Sequence, residues 1–155
     1  VARGRFKMDP ETLSEEQCSK MYRKEFPNTP SKEIVREARL QGASAKLGLS
    51  PAVLKTDKKT FIEMELVPSM ALAYKYGYDV DELPNEIRQQ VYDIVRTLYQ
   101  HGIQYIDITP YNFIEHEGKV WIIDFGHASN RKRLCRYLIK LFNEGYLHEW
   151  NADFR

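Results

Sequence analysis

Cysteine is nearly absent: Cys18 and Cys135 stand far apart in a chain of 155 residues, with no Cys-x-x-Cys pair and no Cys/His spacing. That excludes a thiolate zinc site and a disulfide framework, and both thiols are read as reduced and structural. An excess of one charge is lacking as well. The 23 basic residues meet 22 acidic ones for a net charge of +1, so neither nucleic acid nor a membrane surface is expected as the main partner. No apolar run approaches the roughly 18 residues of a membrane helix, and no signal-peptide pattern opens the chain. The first residue is Val1 rather than Met, which points to residues removed from, or not included at, the start. The length suits one domain or two small lobes.

Repeats and low-complexity stretches are missing too, so the chain is read element by element. Residues 1–27 read as strands around the polar loop "DPETLSEEQ", with Lys20, Tyr22 and Lys24 on one side of the strand "CSKMYRKEF" (18–26). "PNTP" stops that strand, and Ser31 is the expected N-cap of a helix running to about Leu47. "AVLKTD" and "TFIEMELV" predict two strands joined by "DKK". A stronger helix follows at 86–100, where Ile87, Val91, Ile94, Val95 and Leu98 recur at steps of three and four. A hairpin through "EHEGK" comes next, and the last 25 or so residues are expected to be helical, with Leu134, Leu138, Leu141 and Phe142 on one face. The order predicts an α+β fold.

The stretch "HGIQYIDITPYNF" (101–113) places Asp107 and Asn112 in otherwise apolar or aromatic surroundings, and Asp124 ends the apolar run in "WIIDFG". A buried carboxylate costs several kcal/mol or more unless it is paired, hydrogen-bonded or bound to a metal. Three hard-oxygen side chains on two loops bracketing one hairpin suit Mg²⁺, which takes one or two carboxylates and completes its octahedron with water and phosphate oxygens. Phosphoryl transfer needs such a set, with a separate carboxylate for the attacking hydroxyl.

"LYQHGIQYIDITPYNFI…VWIIDFG" resembles the catalytic loop and Asp-Phe-Gly motif of the protein-kinase superfamily. The resemblance implies that Asp107 is the catalytic base and that Asn112 and Asp124 hold Mg²⁺. "CSKMYRKEF" is similar to the strand that carries the phosphate-binding lysine, with Lys20 the candidate and Lys24 a rival on the same face. The helix "SKEIVREARL" offers Glu37 as its ion-pair partner, with Glu33 one turn earlier as the alternative. "FIEMELVPS" is similar to a gatekeeper and hinge, with Met64 behind the adenine of ATP and the backbone of Glu65 and Val67 reading its edge. Gly4 in "ARGRFK" is all that matches a glycine-rich loop.

The pattern also departs from that family. Tyr105-Ile106 replaces the usual His-Arg, so activity is not expected to depend on a phosphorylated activation loop. Thr109 replaces the catalytic-loop lysine, as Ser or Thr does in RIO-type and KEOPS-complex kinases. Only 29 residues follow Gly126, too few for a full C-lobe. The resemblance therefore implies a two-lobed kinase-like fold reduced to one minimal domain, residues 1–155, with an N-lobe of about 1–66 (a small sheet and one helix) and a mainly helical C-lobe of about 67–155. Such chains resemble bacterial effector kinases of the HopBF and OspG type. That implies a cytoplasmic monomer, or one secreted into a host, using ATP and Mg²⁺ on a Ser or Thr of a protein such as the chaperone HSP90.

Two other readings stay open: a pseudokinase scaffold, and a small-molecule phosphotransferase of the aminoglycoside or choline type. His101 and His127 show no metal-ligand spacing and are read as structural or solvent-facing. The basic run "RKRLCRYLIK" is read as a solvated helix face, with docking of an acidic partner as the sharper alternative.

Overall fold

The computed structural model describes residues 20–154; the expectations for Gly4, Cys18 and the rest of the first 19 residues lie outside that range. Three antiparallel strands, β1 (Met21–Glu25), β2 (Val53–Thr56) and β3 (Phe61–Glu65), form a sheet in the order β1-β3-β2. The turn between β2 and β3 is closed by Asp57, whose Oδ1 accepts the N–H groups of Lys59, Thr60 and Phe61. Those donors and the Thr60 hydroxyl hold the carboxyl below its ordinary range, the hydroxyl first among them.

Helix α1 (Ser31–Lys46) lies against this sheet, burying Ile34 among Tyr22, Ile62 and Met64. Its N-cap is Pro30 and not the expected Ser31. Ser31 is the first helical residue, and its hydroxyl donates to the carbonyl of Lys58 instead of capping a helical N–H. Proline at this boundary brings a fixed φ but no side-chain acceptor, so the helix starts without a side-chain cap, and the Pro30 carbonyl accepts the N–H of Glu33 at 3.0 Å.

Beyond β3 the chain forms a short helix not foreseen from the sequence, α2 (Leu72–Tyr76), a 3₁₀ turn at Val80–Glu82, and the long helix α3 (Asn85–Gln100). The predicted apolar positions of α3 are all buried, each contributing about 1.5–3 kcal/mol by leaving water. Strands β4 (Phe113–His116) and β5 (Lys119–Ile122) pair as the expected hairpin. Gln90 of α3 fixes this hairpin, accepting the N–H of Val120 and donating to the carbonyl of Gly118, both at 2.9 Å.

The carboxyl-terminal stretch is less helical than expected. Among the described residues only α4 (Arg136–Glu144) and a 3₁₀ turn at Ala152–Phe154 form there. Gly145 adopts φ +79° and closes α4 with its N–H on the carbonyl of Leu141, the left-handed stop that glycine takes without a Cβ clash. The chain then runs back across the core, burying Leu147 and Trp150. Trp150 packs on Phe113 with ring centroids 6.3 Å apart. Asn151 then donates its N–H to the carbonyl of Ile108 (2.9 Å) and its side-chain amide to that of Ile106 (2.8 Å), on either side of Asp107.

Candidate active site

Strand β1 brings Lys24, not Lys20, to the site. Lys24 Nζ lies 2.6 Å from Glu37 Oε2 and 3.0 Å from Asp124 Oδ1. Alternation along a strand puts Lys20 and Lys24 on one face, but four residues of extended chain separate them by roughly 13 Å. Lys24 sits opposite Ile62 within the sheet, whereas Lys20 precedes β1 and is exposed. Of the two glutamates on α1, Glu37 is buried and Glu33 is exposed. Desolvation works against the charge on Lys24, yet Asp124 and Glu37 outweigh it and raise its pKa, keeping the ammonium protonated. Burial pushes the Glu37 carboxyl up against the pull of Lys24.

Asp124 takes φ +64°, a left-handed conformation that costs a non-glycine residue about 1–2 kcal/mol. Tyr105 over-determines it. Its hydroxyl lies 2.6 Å from the carbonyl oxygen of Ile123 and 2.8 Å from that of Asp124, its single proton shared between them. The Tyr105 ring meets buried Phe125 edge-on at 5.3 Å. Tyrosine at a position where kinases carry histidine thus becomes a structural anchor for the Asp-Phe-Gly turn. Gly126 gives that turn room: a Cβ there would stand 3.3 Å from both Asp124 Oδ1 and Glu37 Oε1, inside the carboxylate pair that Lys24 bridges.

Asp107 and Asn112 belong to one folded loop. The Asn112 amide donates to the backbone carbonyl of Asp107 at 2.8 Å, and the Asn112 carbonyl accepts the N–H of Ile123 at 3.0 Å. That second bond ties the loop to the residue preceding Asp124. Both Asp107 and Asn112 are buried, and Asp107 Oδ1 and Asn112 Oδ1 have no hydrogen-bond partner. Buried acceptors lacking donors are uncommon in folded chains and ask for an explanation. Among the described residues no three His, Cys, Asp or Glu side chains cluster as metal ligands. The amide oxygen of Asn112 and the carboxylate of Asp124 are of the kind that suits a hard cation completing its shell with water and phosphate oxygens, and the orphaned Asn112 Oδ1 fits that use.

The remaining predicted positions are more loosely connected. Met64 is buried in β3, with its sulfur 3.3 Å from Gln41 Nε2. The N–H of Glu65 is taken by the carbonyl of Ala52, so any contact from Glu65 to an adenine edge falls to its own carbonyl. Val67 packs with Ile114 and Ile123, joining the segment after β3 to the hairpin. Thr109 is fully buried with an unpartnered hydroxyl. His127, read from the sequence as structural or solvent-facing, places Nδ1 3.2 Å from Asp107 Oδ2. No local sequence signal announces that contact. His127, Ile106, Gly126 and Glu37 share the lining of a cleft of about 800 Å³.

The sequence profile of the RIO domain matches residues 4–139. The chain belongs to the RIO-domain family. Two curated relatives align with part of the chain: a sperm motility kinase (Tcr mutant form) of Mus musculus, 33% identical over 85 residues, and a probable bifunctional tRNA threonylcarbamoyladenosine biosynthesis protein of Methanospirillum hungatei JF-1, 31% identical over 92 residues. The aligned parts cover 52% and 59% of this RIO-domain chain but only 17% and 16% of those proteins. Two solved structures of WbdD, titled a bifunctional kinase-methyltransferase in one case, superpose with TM-scores of 0.53 and 0.54 at 17% identity, covering 89% of this chain and 30% of WbdD. That likeness shows the fold: the α+β, kinase-like arrangement expected from the sequence, with a small N-terminal sheet and helix ahead of a mainly helical part.

Proposed function

We propose that this RIO-domain chain is a Ser/Thr protein kinase that uses ATP with Mg²⁺. The observation that carries the reading is the Lys24 ammonium, held between Glu37 and Asp124 at 2.6 and 3.0 Å. Lys24 has the charge and fixed position to receive nucleotide phosphates, and Glu37 keeps it in place. Asp107, buried with one oxygen unpartnered, accepts the proton of the attacking hydroxyl. Asn112 and Asp124 hold Mg²⁺, which when bound neutralises charge on the nucleotide. Ile106 in place of an arginine supports activity without loop phosphorylation, because an aliphatic side chain makes no bond to a phosphate. A protein substrate, with HSP90 among the candidates, and an effector role in a host rest on the resemblance to small effector kinases and on no further feature of the site.

Labelled ATP mixed with the chain and with bacterial or eukaryotic lysate tests the reading. Label is expected on protein, and Asp107→Ala should lower the rate about 10²- to 10⁴-fold. Mg-ATP at about 100 times its Kd should add ~2.7 kcal/mol to stability. An active chain whose Asp124→Ala variant keeps full turnover would contradict the metal role, and the absence of both transfer and thermal shift would favour a scaffold. Label on aminoglycosides or amino alcohols instead of protein would move the assignment to a small-molecule phosphotransferase.

A further inference from the structure

We propose that His127 is a positioning residue for Asp107, holding that carboxylate in one orientation through a hydrogen bond to Oδ2. The inference rests on the kinase reading above and adds a residue to it. Among the described residues, His127 is the one side chain whose hydrogen bonding reaches the Asp107 carboxylate, with Nδ1 3.2 Å from Oδ2. The other oxygen, Oδ1, is buried without a partner. A carboxylate on a single χ2 torsion turns freely unless one oxygen is held. With Oδ2 engaged by the imidazole, the carboxylate is held in one orientation, with Oδ1 on its buried side. Nδ1 donates in both the Nδ1–H neutral tautomer and the imidazolium, so the role does not require the ring to change its charge.

The His127 side chain is 59% exposed and Asp107 only 4%, so the histidine stands at the mouth of the site and the carboxylate behind it. Its ring is steadied by Phe154, at a centroid distance of 5.0 Å. Phe154 belongs to the 3₁₀ turn that follows Asn151, the residue bonded to the carbonyls on both sides of Asp107. The same carboxyl-terminal turn therefore braces the backbone of the base and, through His127, its side chain. Orientation of a catalytic group by a fixed neighbour is a recurrent requirement for rate.

Three substitutions separate the hydrogen bond from packing. His127→Phe keeps an aromatic ring against Phe154 and removes the donor; His127→Asn keeps a donor near the place of Nδ1 and removes the ring; His127→Ala removes both. ADP release is measured with Mg-ATP and dephosphorylated casein, alongside the Mg-ATP thermal shift. In His127→Ala and His127→Phe, kcat is expected to fall about 10- to 100-fold, as when an orienting partner is lost. His127→Asn should recover most of that loss, and KM for ATP and the thermal shift should stay within about twofold of wild type in all three. A His127→Phe variant with wild-type kcat would reduce the residue to packing and overturn the proposal, as would parallel losses of kcat and nucleotide binding in all three variants. A wild-type chain that releases no ADP overturns the kinase reading itself, and the positioning role falls with it; an active wild type with indifferent His127 variants sinks the positioning role alone.

Discussion

Lys24 Nζ and Asp124 Oδ1 lie 3.0 Å apart across 100 residues of sequence, and Glu37 completes the pair from α1. This contact joins the three-stranded sheet to the Asp-Phe-Gly turn and decides for Lys24 against Lys20, the candidate expected from the sequence. Lys24→Ala is expected to lower phosphoryl transfer about 10²-fold or more, by removing a preorganised charge from the site, and Lys20→Ala to leave it essentially unchanged. Labelled-ATP assays of the two variants side by side check the assignment.

Glu37→Ala removes one of two carboxylates from a largely buried ammonium, the Lys24 side chain being 17% exposed. Breaking such a pair destabilises, though Asp124 still faces the lysine; a loss of about 2–3 kcal/mol is expected, under the usual cost of orphaning a buried charge. Urea denaturation measures it, and a midpoint matching wild type would mean that water already supports the ammonium.

Tyr105→Phe deletes the hydroxyl that engages the carbonyls of Ile123 and Asp124. Leaving buried acceptors without their donor is expected to cost about 1–3 kcal/mol. Because these carbonyls frame the positive-φ aspartate, the apparent affinity for Mg²⁺ in the transfer assay should weaken as well. A variant that loses stability but keeps its Mg²⁺ dependence would confine Tyr105 to the core.

Glu115 on β4 accepts hydrogen bonds from Tyr76 (2.6 Å) and Lys75 (2.9 Å) of α2, and these bonds, the tyrosine first, hold its carboxyl below the ordinary value of 4.5. A depressed carboxylate contributes stability that is fully present above the unfolded value and fades as pH falls through the folded one. Below about pH 4.5 the wild type should therefore lose stability more steeply than Glu115→Gln, which has no carboxylate to protonate. Thermal unfolding midpoints of both proteins across the acid range test the sign.

How much could be read in advance depended on whether the signal was local. The apolar steps of α3 and the hairpin through Glu117 and Gly118 were legible because each is a short-range pattern that one element satisfies by itself. Gly145 is a helix stop of the kind residue type signals: its left-handed φ ends α4, and the chain beyond it folds back to bury Trp150. Ser31 looked like a cap by residue type, but its hydroxyl found the Lys58 carbonyl, an acceptor supplied by a distant turn.

By itself the sequence determined that Asp107, Asn112 and Asp124 sit at fixed offsets in apolar surroundings, because burying such groups demands a reason that solvent cannot provide. It also determined the strand, helix and hairpin order that carries them. Only the tertiary structure chose Lys24 over Lys20 and Glu37 over Glu33, and only it brought His127 to Asp107 and Asn151 to the backbone on either side. A period of two or of 3.6 says which face a residue occupies; strand register and the packing of α1 on the sheet say how far along that face the partner stands.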